Sequence, residues 1–132
     1  MEKTRGNAFQ FYSRSIRGNR IPEVNERQLY AYYNFLFERK ISTVIMLAPY
    51  YFQTGGQRVS ANLAGDNPAA VREMVRDLEF AEKIHAKYYV VQAGYKKELS
   101  ETEAKNNLKR QLQEILEKTD WKGTILVRNM AG

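Results

Sequence analysis

Four short runs rich in β-branched and aromatic residues recur about every 40 residues along this chain, and a helical pattern fills each interval. The runs are residues 8–13, Thr43–Leu47, Tyr88–Gln92 and Thr124–Arg128. Strands that alternate with helices pair in parallel through right-handed crossovers. The expected fold class is therefore α/β, in the order β-α-β-α-β-α-β with parallel strands. Four strands and three helices make about half of a TIM barrel, whose usual length is ~250 residues. At 132 residues the chain is read as one half-barrel domain over 1–132, with residues 1–6 as a flexible tail.

Each helical interval carries its own start signal. Asn25, with Gln28 three residues on, opens a helix that runs to about Lys40. Asn67 before Pro68 places an N-cap ahead of a proline in the first turn. In that second helix Val71, Met74, Leu78, Ala81 and Ile84 keep helical spacing and predict one buried stripe. Ser100 and Glu103 form a capping box for the third, which is expected to bury Leu108, Leu112, Ile115 and Leu116. The longest connection is 54–66, rich in Gly, Ala and Asn, and it is read as a loop.

Composition narrows the chemistry. A 43% hydrophobic and 12% aromatic content suits a packed domain rather than a disordered chain. The absence of cysteine excludes disulfides, thiolate metal sites and cysteine nucleophiles. No apolar run approaches the ~20 residues of a membrane span. The first seven residues lack the apolar stretch of a signal peptide, so a soluble, cytoplasmic protein is the expectation. The net charge of +6 favours contact with phosphates or other anions. Arg14, Arg17 and Arg20 fall in a stretch with no acid, and they form the one basic patch singled out. Later basic residues mostly alternate with Glu and Asp, as on a solvated helix face.

Parallel α/β sheets bind ligands at the C-terminal ends of their strands. Here those positions are 13–20, 47–57, 92–97 and 128–132. They supply arginines, the aromatics Tyr50, Tyr51 and Phe52, and polar Gln53, Gln92 and Asn129, but no histidine and no carboxylate cluster. The single histidine, His85, falls at the end of the second helix, where a partial positive charge suits the helix dipole.

The same four strand ends resemble the endonuclease IV family (AP endonuclease family 2), metal-dependent nucleases with a xylose isomerase-like TIM barrel that cut beside abasic sites in DNA. The residues that carry the resemblance begin with Asn7-Ala8-Phe9-Gln10-Phe11-Tyr12-Ser13-Arg14-Ser15-Ile16-Arg17, similar to the family's second strand and following loop. Leu47-Ala48-Pro49-Tyr50-Tyr51 is similar to His-Ala-Pro-Tyr-Leu, and Val91-Gln92-Ala93-Gly94 to Phe-His-Pro-Gly. Val127-Arg128-Asn129-Met130-Ala131-Gly132 resembles Glu-Asn-Thr-Ala-Gly preceded by an apolar residue. The four matches come in the family's order and span nearly the whole chain, which is read as a truncated member.

What the resemblance implies divides in two. The family holds zinc through the two histidines and the glutamate of these motifs, and the matching positions here are Leu47, Gln92 and Arg128. Leucine has no lone pair, glutamine is a poor zinc ligand, and arginine brings a positive charge towards a dication. The resemblance therefore implies no metal cofactor and no catalytic residues. The family also pushes loop side chains into the minor groove, and on that likeness Arg14, Arg17, Tyr50 and Tyr51 are the implied DNA-binding residues. Tyr50 and Tyr51 equally suit packing against the other half of a barrel or a neighbouring chain.

A half-barrel leaves two sheet edges and an inward face open. Self-association as a homodimer, or a partner chain that completes the barrel, would cover them. The leading functional expectation is a non-catalytic, DNA-binding or accessory protein in a DNA-repair-like context. The alternatives are a subunit of an active AP endonuclease, a sugar isomerase- or epimerase-like barrel, and a remnant without a present role.

Overall fold

In the computed structural model, which describes residues 8–15 and 18–128, each helix begins on the side chain that the sequence marks as its cap. The chain runs β1 (Ala8–Tyr12), α1 (Glu26–Glu38), β2 (Thr43–Leu47), β3 (Tyr51–Thr54), β4 (Gln57–Ser60), α2 (Pro68–Lys83), β5 (Tyr88–Gln92), α3 (Glu101–Glu117) and β6 (Thr124–Arg128). The Gln28 and Glu103 N–H groups donate to the side chains of Asn25 and Ser100, and each N-cap N–H donates back to the Gln28 or Glu103 side chain. Asn67 accepts from the Ala70 N–H, with Pro68 in the first turn. These bonds satisfy donors that a helix's first turn otherwise leaves unpaired.

The strands β1, β2, β5 and β6 form one parallel sheet in that spatial order, with every neighbour pair in parallel register. This is the expected α/β architecture, a partial TIM-barrel-like sheet. Strand alternation sends one set of side chains towards the helices. Val44, Met46, Tyr89 and Val91 are buried there, and Phe9, Phe11 and Ile125 pack against the same core. The predicted α2 stripe of Val71, Met74, Leu78 and Ala81, with Ile84 just past its end, is buried in full. Trp121 closes the core's lower end, its indole N–H donating to the Ala86 carbonyl at 2.7 Å.

The opposite sheet face has no covering layer among the described residues. Register places Gln10, Ile45, Tyr88 and Thr124 in one row across it, and Tyr12, Leu47, Val90 and Leu126 in the next. Tyr12 and Leu126 are each more than two-fifths exposed. The face is apolar at its centre and more polar towards its ends.

Two expectations change. Residues 54–66 are not a plain loop, because β3 and β4 pair antiparallel as a hairpin over Phe52, which is fully buried. The turn is Gly55-Gly56, both at positive φ (58° and 77°), which suits the twist of a two-residue hairpin. In α3, Ile115 is buried as expected, but Leu108 and Leu112 are only half-buried and Leu116 is exposed. Gln111 takes the central place instead. Its side-chain oxygen accepts from the Asn67 N–H, and its amide N–H groups donate to the Leu63, Gly65 and Asn107 carbonyls.

Helix ends show a further regularity. At α2, the Ala86 N–H donates to the Ala81 carbonyl and the His85 N–H to Glu82, with His85 at φ 60°. At α1, Ile41 donates to Leu36 and Lys40 to Phe37, with Lys40 at φ 56°. Both are Schellman endings, in which a side-chain-bearing residue occupies the left-handed position that glycine usually takes. His85 thus closes a helix, and its ring stacks on Tyr33 with centroids 4.9 Å apart. No helix among the described residues is long and apolar enough to cross a membrane.

Candidate functional site

The C-terminal end of the sheet gathers Leu47, Gln92 and Arg128, the positions that the resemblance matches to ligands, as the sequence order requires. Leu47 lies on the open face between Tyr12 and Val90 in register, and Gln92 sits opposite Arg128 on the neighbouring strand. The ladder extends past the strand ends, with the Ala48 N–H donating to Val90 and the Ala93 N–H to Arg128. All three side chains thus share one face, but as an alkyl group, a neutral amide and a cation. This donor set does not fit zinc. Among the described residues no group of three or more His, Cys, Asp or Glu is placed to hold a metal ion.

The loop after β1 departs most from expectation. Arg14, read as part of a solvent-facing basic patch, is buried with only 3% of its side chain exposed. Its Nε donates to Asp77 Oδ1 at 2.8 Å, and its other nitrogens reach the Glu73 carboxylate and carbonyl, each at 2.9 Å. The guanidinium also lies 4.6 Å from the centroid of the Phe52 ring. Asp77 further accepts from Ser13 Oγ at 2.8 Å and from the Tyr89 hydroxyl. Burial raises the Asp77 carboxyl above its ordinary range, while the Arg14 charge and the Tyr89 and Ser13 bonds pull it back. Burial and the adjacent Asp77 push the Tyr89 hydroxyl well above the usual tyrosine range. The physical reason for the departure is that α2 carries two carboxylates on its inner side, and a buried carboxylate needs a cation more than a loop needs an exposed arginine.

That network fixes the loop beneath the hairpin. Asn19, buried at φ 51°, donates to the Tyr51 carbonyl at 2.9 Å and accepts from the Gln53 N–H at 3.0 Å. Its side chain therefore pairs with the β3 edge as a strand backbone would. Arg20 remains exposed, lining a small cleft of about 290 Å³ with Gln53 and Arg76. Tyr50 is 57% exposed at the start of the hairpin. Tyr51 is half-buried, with the Arg58 guanidinium 3.8 Å above its ring centroid. Of the four residues implied to touch DNA, Tyr50 is open to solvent, Tyr51 is partly covered and Arg14 is enclosed. Arg17, Asn129 and the tail 1–6 lie outside the described residues.

The sequence reading missed two features of this end. The carboxylate network was legible in part, since Asp77 interrupts the apolar stripe of α2 and a charge at such a position calls for a buried partner. The hairpin was signalled by Gly55-Gly56 between two β-prone runs.

The chain matches no family profile. It is 30% identical over 128 residues to the "Probable endonuclease 4" of Persephonella marina (strain DSM 14350 / EX-H1), an alignment that takes in 93% of this chain and 42% of the relative. The chain thus spans under half the length of the curated relative it matches. The likeness takes in most of this chain, which is thus similar to part of an endonuclease 4.

Proposed function

We propose that this chain is a non-catalytic, endonuclease IV-like module that binds duplex DNA through the C-terminal end of its parallel sheet, as an accessory in a DNA-repair-like setting. The observation that carries the reading is the pairing of Gln92 with Arg128 beside Leu47 on the open face. A cation and an amide suit a phosphate, and they cannot replace the imidazoles and carboxylate of a zinc site. Exposed Tyr50, Arg20 and Arg58 at the same end add a planar side chain and two guanidinium groups. In this reading Tyr50 rests in the groove, and Arg20 and Arg58 contact the backbone.

Fluorescence anisotropy with a labelled duplex, intact or carrying an abasic analogue, tests it. Salt-sensitive binding that weakens in Arg20→Gln/Arg58→Gln is the expected result. Strand cleavage by the purified chain with added zinc or manganese would overturn the non-catalytic reading in favour of an active nuclease subunit. The uncovered apolar face favours a further element, association with a second copy so that two four-stranded halves close one barrel. A monomeric mass at micromolar concentration by light scattering would refute that element.

A further inference from the structure

A cleft of about 750 Å³ in the described structure is not lined by any of the residues implied by the endonuclease IV resemblance to touch DNA or to hold metal. It opens between the β5–α3 loop and the first two turns of α3, and three lysines, Lys96, Lys97 and Lys105, line it against one carboxylate, Glu101. None of the three lysines makes an ion pair or side-chain hydrogen bond among the described residues, whereas Arg110 on α3 and Lys118 at its C-cap do. Three unneutralised ammonium groups around one concavity repel one another, and an anion relieves that repulsion.

The loop that presents them is braced. Asn62, just beyond the hairpin, accepts from the Tyr95 N–H and donates to the Tyr95 carbonyl, at 3.1 and 2.9 Å. Gly94 sits at φ 86° so close to Asn62 that a Cβ there would collide with the amide oxygen. Lys97 holds a left-handed conformation at φ 52°, which a lysine adopts only when its surroundings impose it. Lys96 and Lys97 also line a second cleft of about 410 Å³ that reaches Ser60 at the end of the hairpin. The two lysines therefore stand on a ridge between the hairpin side and the α3 side of the sheet end. Tyr95, half exposed, lies in both clefts beside them.

We infer that the Lys96–Lys97–Lys105 cleft is a phosphate-binding site, and that it takes the backbone of a nucleic-acid strand running from the hairpin towards α3. The room suits a chain of phosphates rather than one small anion, and an aromatic ring interleaved with lysines suits sugar and base edges between them. The strand assignment rests on the DNA-binding reading above, whereas the phosphate chemistry rests on the cleft alone.

The test uses the full chain and two probes, a labelled duplex and inorganic pyrophosphate. Lys96→Gln/Lys97→Gln/Lys105→Gln is compared with Lys83→Gln/Lys118→Gln/Lys122→Gln, which removes equal charge elsewhere on the surface. The cleft variant is expected to bind duplex more weakly, with a salt slope shallower by about 0.9 for each phosphate it no longer neutralises, while the control keeps its slope. In wild type, either probe is expected to shield the three lysines from amine acetylation, read by mass spectrometry, and to leave Lys118 and Lys122 reactive. Pyrophosphate shielding without duplex binding sinks the DNA reading and leaves the phosphate site standing. Duplex binding with unchanged slope and unshielded lysines overturns the cleft and leaves the DNA reading. Equal losses in the two triple variants, or no shielding by either probe, also overturn the cleft.

Discussion

Replacing Arg14 by methionine keeps most of the side chain's apolar stem against Phe52 and removes its charge. Asp77 is then enclosed without a cation, and Glu73 keeps only the solvent-exposed Arg76 at 3.2 Å. Breaking a buried pair by removing one partner costs about 3–5 kcal/mol, against a total stability of about 5–15 kcal/mol for a domain. With a urea m-value of about 1–3 kcal/mol/M, the unfolding midpoint falls by at least about 1 M. The cost also depends on pH. Asp77 already has a raised folded pKa, so its contribution favours folding below the unfolded value and is lost as pH rises through the folded one. Without Arg14 the folded value climbs further, and Arg14→Met therefore costs more at about pH 7.5 than at about pH 5. Urea titration followed by the fluorescence of buried Trp121 reads both numbers. Adding Asp77→Asn to the variant is expected to recover part of the loss at neutral pH. A loss under about 1 kcal/mol, or one equal at the two pH values, would refute the buried-network account and restore Arg14 to the surface role that the sequence suggested.

Two further predictions concern the scaffold. Lys40→Gly relieves a left-handed residue at the end of α1 and is expected to stabilise the fold by about 1 kcal/mol; a lower melting temperature would show that the position is not strained. Gln111→Leu strips the partners from the Asn67 N–H and from buried carbonyls beneath α3, a loss of about 1–3 kcal/mol for each group left unpaired. A thermal melt matching wild type would mean that water replaces the amide.

Much of the fold was legible because its signals are local. Asn25, Asn67 and Ser100 cap helices through bonds that span three residues, and such bonds depend on little beyond the adjacent sequence. The four parallel strands were legible through alternation and spacing. The hairpin was harder, because its four-residue strands are short and its buried Phe52 looks like any loop aromatic until α2 and Arg14 are in place. The misjudged α3 face has the same origin. Leu116 sits on the right helical period, but no element among the described residues covers that side of α3.

Sequence alone therefore determined the order of the four parallel strands and three helices, together with the helix caps. Those properties follow from residue type and short-range periodicity. Only the tertiary structure decided which charges are spent and which are free. Arg14 pairs across 63 residues with Asp77, while Lys96 and Lys97, unremarkable in the sequence, meet Lys105 around an open cleft. Whether a cation is neutralised depends on what the fold packs against it, and neither composition nor spacing carries that information.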